Sequence, residues 1–271
     1  MPTPGEQLLS ALGWSRGRAA RVLVFVAHPD DETIGLGGHL GDFASPLVVH
    51  ATDGAPRNLR DARARGFASA DAYAQARRDE LRAAMSLVGL EEGALVNLGF
   101  ADQQAARNLT PLTRAFAARL QDYKPEFVFT HAYEGGHPDH DAVAFAAHAA
   151  LAAAPGARLI EMPLYHGENG AFVRSRFSPA PPSTAALTVT LDAQARERKR
   201  RMIAGFATQR ATLAPFPDQR ESFRPAPSYD FLQLPNGGEI LYEAFDWGCK
   251  GADFQAFAKA SLAALGWPPC R

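Results

Sequence analysis

The stretch that most constrains this chain is Val22-Leu23-Val24-Phe25-Val26-Ala27-His28-Pro29-Asp30-Asp31-Glu32. Its unbroken apolar half fits a strand buried on both faces, as in a parallel sheet covered by helices. The run stops at a histidine, a proline and three adjacent carboxylates. That is what the carboxyl edge of an open α/β sheet carries, because such folds gather their chemistry there. Adjacent acids repel one another unless solvent or a cation relieves them. A polar turn in which Asp30 or Asp31 caps the next helix accounts for the same residues. The stretch alone leaves both readings open.

The alternation of strand and helix continues down the chain. Residues 46–51, 95–100, 127–131 and 159–166 read as further strands, with helices beginning near Thr33, Arg77, Thr110 and Ala142. The helix from Thr33 to Phe43 starts among glycines (Gly35, Gly37, Gly38, Gly41), which let a helix or a ligand approach the strand edge closely. Glu6 to Trp14 reads as a lead-in helix, and Ala55 to Ala76 as a loop or lid without an apolar face. Towards the end, Ala186 to Leu191 alternates like a half-buried strand, and Asp192 caps a basic helix reaching Phe206. Ala214 to Leu234, with Pro215, Pro217, Pro225 and Pro227, reads as a long surface loop. Phe254, Phe257, Ala258, Leu262 and Leu265 mark a final amphipathic helix. Strands alternating with helices predict a doubly wound, mostly parallel α/β sheet. No repeat or linker divides the 271 residues, a length that one domain can reach, so residues 1–271 are expected to form a single domain.

Several function classes are disfavoured by composition. A formal net charge of -1 gives no electrostatic footprint for nucleic acid or an acidic membrane. No apolar run approaches the ~20 residues that span a bilayer. The first residues, Met1 to Glu6, lack the basic-then-apolar pattern of a secretory signal, so a cytoplasmic enzyme is expected. Cys249 and Cys270 form no CxxC pair and indicate no disulfide framework. The sequence carries no signature of an oligomeric state.

A second strand end repeats the chemistry of the first. After Phe127 to His131 comes Ala132-Tyr133-Glu134-Gly135-Gly136-His137-Pro138-Asp139-His140-Asp141. A catalytic zinc takes nitrogen and oxygen ligands from the protein and keeps one position open. His28 with Asp31, three residues apart, and His140 from the second end make a His/Asp/His set of that kind. A divalent metal brings the pKa of water down to about 7, and Asp30, aimed elsewhere than Asp31, can then serve as a general base. His137 can donate to a developing oxyanion. Each cluster alone also reads as a helix-start turn. Two of them, each directly after a buried strand, point to a metal.

Ala27-His28-Pro29-Asp30-Asp31-Glu32 with Gly37-Gly38, together with His137-Pro138-Asp139-His140, resembles the PIG-L/LmbE-like family of zinc-dependent N-deacetylases. Thr52-Asp53-Gly54, Arg77-Arg78-Asp79-Glu80, Lys124-Pro125-Glu126 and the pair Lys199 and Gln209 agree with it in order and spacing. The resemblance covers about residues 20–213, the motif-bearing core, and leaves 214–271 as a Pro-rich loop and C-terminal elements. It implies a Rossmann-like fold with helices on both faces and one zinc at the carboxyl edge of the sheet. It also implies removal of acetyl from an N-acetylated amino sugar conjugate of the N-acetylglucosamine type. By motif position His28, Asp31 and His140 would be the metal ligands and Asp30 the base. His137 would stabilise the oxyanion while protonated. Asp139 would orient its neighbours, Arg77 would stand near the substrate, and Glu32 would lie behind the ligands or at the helix start. Iron(II) suits a His/carboxylate set as well as zinc does. The rival readings are a zinc amidohydrolase for another N-acyl substrate and a non-catalytic sugar-binding member.

Other polar residues are read as structural. His131 is expected to be a hydrogen-bonded core histidine and His50 a strand residue. Glu134 reads as a solvated carboxylate, and Arg196, Arg198, Lys199, Arg200 and Arg201 as a solvated helix face. The glycines after Glu32 form no GxGxxG, and the acids beside them would repel a pyrophosphate.

Overall fold

The structure is a computed structural model, and it describes residues 3–13, 19–179 and 184–266. Trp14 and Cys270 lie outside the described residues. In chain order the elements are α1 (Pro4–Ala11), β1 (Val22–Val26), α2 (Asp31–Leu36), β2 (Leu47–Thr52), α3 (Arg60–Ala64), α4 (Ala70–Ser86), β3 (Leu95–Phe100), α5 (Leu109–Tyr123) and β4 (Phe127–His131). There follow α6 (Pro138–Ala153), β5 (Arg158–Met162), β6 (Tyr165–Glu168), β7 (Ala171–Arg174), β8 (Leu187–Thr190), α7 (Ala193–Gly205), α8 (Arg210–Leu213), β9 (Arg220–Pro225) and α9 (Gly251–Leu265).

Seven strands form one sheet in the order β3-β2-β1-β4-β5-β9-β8. The first five are parallel, and β9 pairs antiparallel with both β5 and β8. Alternate side chains of β1 enter opposite layers, as strand pleating requires. Leu23 and Phe25 join Phe116, Phe145 and Phe254 from α5, α6 and α9 on one face. Val22, Val24 and Val26 join Leu9, Leu36, Leu81 and Met202 from α1, α2, α4 and α7 on the other. Both faces of the sheet are therefore covered, which is why β1 is apolar at every position and β4 is apolar up to Thr130. The strand order reverses between β1 and β4, so their carboxyl ends flank a crevice, the usual binding position in open α/β sheets. Among the described residues no helix is long and apolar enough to cross a membrane.

Four expectations need correction. Residues 55–76 are not a loop: α3 lies within them and α4 begins at Ala70, where the Ser69 hydroxyl accepts the Ala72 N–H at 3.1 Å. Ala62, Ala70 and Tyr73 bury a small satellite cluster there, too short-ranged to show as an apolar stripe. The helix after β1 starts earlier, at Asp31, and ends at Leu36. A Cβ on Gly35 would stand 2.7 Å from Met162 Sδ, so the close approach at this glycine is by a core side chain, not a ligand. The stretch 214–234 contains β9, whose Glu221, Phe223 and Arg224 are buried although prolines surround it. Residues 159–166 break at Pro163 into β5 and β6, and β6 leaves the main sheet to pair with β7.

Candidate active site

At the carboxyl end of β1 the chain turns into α2 through Pro29 and Asp30. Asp30 holds φ 139° and ψ -25°, a region that non-glycine residues avoid. That turn separates two adjacent carboxylates. Asp31, the first residue of α2, accepts the His28 N–H at 2.8 Å and lies 3.3 Å from His28 Nδ1. Asp30 instead meets Arg77, whose Nη2 donates to Asp30 Oδ2 at 2.9 Å and to the Pro29 carbonyl at 2.8 Å. Arg77 Nη1 donates to the Gly54 carbonyl at 2.6 Å, and a Cβ on Gly54 (φ 67°) would collide with the same guanidinium. Glycine is needed there.

The second strand end supplies the other half. His137 caps α6, its Nδ1 accepting the Asp139 N–H at 3.1 Å, and Pro138 occupies the first turn. One turn later, His140 Nε2 lies 3.3 Å from His28 Nδ1 and 3.4 Å from Asp31 Oδ2. His28 Nδ1, Asp31 Oδ2 and His140 Nε2 thus form a triangle with edges of 3.3, 3.3 and 3.4 Å. Atoms 2.0–2.1 Å from a tetrahedral zinc stand roughly 3.3–3.4 Å apart, so the spacing is that of a ligand set. All three residues are buried and line a cleft of about 240 Å³. His131 also comes within 3.4 Å of Asp31 Oδ2, but its Nε2 accepts the Ala27 N–H at 2.9 Å, which uses the lone pair a metal would need. It is the hydrogen-bonded core histidine expected from the sequence, stacked on His140 with ring centroids 4.1 Å apart.

Behind the triangle the unused nitrogen of His28 faces carboxylates: Nε2 lies 3.2 Å from Asp102 Oδ1 and 3.4 Å from Asp139 Oδ2. Such an outer carboxylate fixes the ring and raises the basicity of the nitrogen that faces a metal. Burial works against the charge on Asp102, but His28 beside it holds the carboxyl below its usual range. Asp139 also accepts the Gln103 and Ala105 N–H groups at 2.6 and 2.9 Å, tying the β3–α5 turn to the site. Burial pushes Asp30 up to about 8, opposed by Arg77. A dication held close by would favour its ionised form. Burial, reinforced by His28, lowers His137 to about 3. With Nδ1 accepting from the backbone, His137 is a neutral imidazole carrying its proton on Nε2, so it can donate without the positive charge expected from the sequence.

Residues 23–151 match the family model described as PIG-L: GlcNAc-PI de-N-acetylase. Over that segment the chain is similar to the PIG-L family. Both strand ends that build the triangle lie inside the matched segment, and residues 152–271 lie beyond it. The description is that of a deacetylase, a hydrolase. No curated protein matches the sequence. Among solved structures, a deacetylase of the teicoplanin biosynthesis pathway is 20% identical over 76% of this chain and 97% of its own, with a TM-score of 0.62. The A40926 pseudoaglycone deacetylase is 18% identical over 77% and 97%, also at 0.62. The N,N'-diacetylchitobiose deacetylase from Pyrococcus horikoshii is 19% identical over 77% and 84%, at 0.55. At these identities the likeness concerns the fold.

Other sequence readings change. Arg77 spends both terminal nitrogens on Asp30 and two backbone carbonyls, although it still borders the cleft. Glu134 is 2% exposed, accepts the Leu164 N–H at 2.9 Å and faces His166, so it is not a solvated carboxylate. Lys199 is 1% exposed and donates to Glu221 Oε1 at 2.8 Å and to the Ile34 carbonyl at 2.6 Å, so it is not part of a solvated face. Asp102 was legible only as a carboxylate at the end of β3, two strands from β1. Tyr165, Phe216 and Trp247 also line the cleft, with the Trp247 ring centroid 4.4 Å from that of His137. They come from beyond the family match, where no motif marks them.

Proposed function

We propose that this protein removes the acetyl group from an N-acetylated amino sugar conjugate, with His28, Asp31 and His140 holding one zinc ion. The observation that carries the reading is the nearly equilateral triangle of donor atoms, with Asp30 and His137 beside it but outside it. Bound there, zinc would supply Lewis acidity: it polarises the amide carbonyl and makes water a readier proton donor.

The chain's own residues do the rest. Asp30 takes the proton of the attacking water and later delivers one to the departing amine, so a single carboxyl serves as base and then acid. Arg77 holds that carboxyl in place. The Nε2–H of His137 donates to the carbonyl oxygen as negative charge develops on it. The sugar reading is supported by the family's description and by the cleft's mixed lining. Tyr165, Phe216 and Trp247 suit the apolar face of a pyranose, and Asp61, Arg65 and Gln209 its hydroxyls.

Acetate release from a panel of N-acetylglucosamine conjugates tests this. We expect release that stops on chelation and returns with zinc. Release from a non-sugar N-acyl amide alone would replace the sugar reading with that of a different amidohydrolase.

A further inference from the structure

The strained turn at Asp30 needs something to hold it. Asp30 sits at φ 139°, just before the short helix α2 that begins at Asp31. Arg77 grips the Asp30 carboxyl and the Pro29 carbonyl, but makes no bond to the Asp30 N–H. The peptide nitrogen is held from elsewhere. Glu32, 0% exposed, folds back so that its Oε2 accepts the Asp30 N–H at 3.0 Å. The same oxygen lies 2.9 Å from His50 Nε2, and the other, Oε1, accepts the Thr33 hydroxyl at 2.6 Å. His50 is itself fixed, because it lies in β2 in register with Val26, the last residue of β1. Glu32 therefore ties the turn to the neighbouring strand through Oε2, is itself held within α2 through Oε1, and does not line the cleft.

We infer that Glu32, braced by His50, is a positioning residue: it locks the Asp30 peptide in its left-sided conformation, so that the Asp30 carboxyl stays off the metal while Asp31 turns onto it. The consequence for activity rests on the proposed role of Asp30 as base. The consequence for structure does not. What the device requires of residue 32 is an acceptor at the right length, not a charge. Glutamine can place its carbonyl oxygen where Oε2 now sits and donate its amide to the Thr33 hydroxyl. Alanine removes the acceptor and leaves a buried N–H unpaired. With its N–H released, Asp30 relaxes to a negative φ and its carboxyl swings away from Arg77.

The test compares Glu32→Ala with Glu32→Gln by metal content, steady-state kinetics and crystal structure. For Glu32→Ala we expect unchanged metal content, KM within about twofold and kcat lower by about 100-fold, the scale of loss from a misplaced catalytic group. Its structure should show Asp30 at negative φ. Glu32→Gln should keep the wild-type φ and recover kcat to within about threefold. If Glu32→Ala does not fold, Glu32→Asp, too short to reach the Asp30 N–H, should show the same split. The inference is overturned if the shortened variant keeps Asp30 at positive φ, or if Glu32→Gln is damaged as severely as Glu32→Ala. An inert Asp30→Asn phenotype would instead remove the base assignment and leave the structural comparison decisive for Glu32.

Discussion

Replacing Asp30 with asparagine is expected to lower kcat by about 10³-fold, within the range that general acid–base groups supply, and to leave the metal in place. Asparagine keeps the size of the side chain and its contact with Arg77 Nη2, so the turn has little reason to move. What it loses is the ability to accept a proton from water and pass one to the amine. Because Asp30 lies outside the His28, Asp31, His140 triangle, elemental analysis should return the wild-type metal content. A variant that keeps full activity would remove Asp30 from the mechanism. One that loses metal together with activity would make it a ligand.

The second large effect concerns stability. Lys199 Nζ donates to Glu221 Oε1 and to the Ile34 carbonyl near the end of α2, while Gly38 N–H and His39 Nδ1 meet the same carboxylate at 2.8 and 2.6 Å. This buried knot joins α2, α7 and β9. Removing one partner of a buried pair strands the other charge and costs about 3–5 kcal/mol. Lys199→Met should therefore lower the melting temperature by about 10 °C at the usual conversion for a chain of this size. Arg200→Met, one residue on and 61% exposed in its side chain, should change stability by less than about 0.5 kcal/mol. Converting both partners, as Lys199→Met with Glu221→Leu, should recover part of the loss, because the stranded carboxylate goes too. Burial alone would raise the Glu221 pKa, but Lys199 and His39 hold it below the ordinary glutamate range. The sign follows: Glu221 contributes stability above the ordinary glutamate pKa, and that contribution disappears as pH falls through its lowered value. The melting-temperature gap between wild type and Lys199→Met should narrow in acid.

The legible parts of the sequence were those whose meaning is local. A run such as Val22 to Val26 announces a strand buried on both faces, and the polar residues after it must then fall at the strand's carboxyl end. That places His28 to Glu32 and His137 to Asp141 each at the end of a buried strand, while the adjacency of those two strands comes from the sheet order. What could not be read depended on partners far along the chain. Glu134 is buried because the Leu164 N–H and His166 reach it from the start of β6 and the turn before it. Lys199 looks like one more cation in a basic run until Glu221 arrives from β9. That strand is hidden by Pro225 at its end and by the prolines around it: it occupies the outer, antiparallel part of the sheet, where a terminal proline is tolerated. Asp102 faces His28 across two strands, a relation no spacing in the chain encodes. The proton on His137 depends instead on a near neighbour, since the Asp139 N–H occupies its Nδ1.

The central claim is that one metal ion sits on His28, Asp31 and His140. Elemental analysis of the purified protein, combined with anomalous diffraction at the zinc edge, tests it most directly. We expect one zinc per chain, bound to His28 Nδ1, Asp31 Oδ2 and His140 Nε2, and absent from His140→Ala. An anomalous peak bound through His131 or His137 in place of these atoms, or a His140→Ala variant with full metal content, would contradict it.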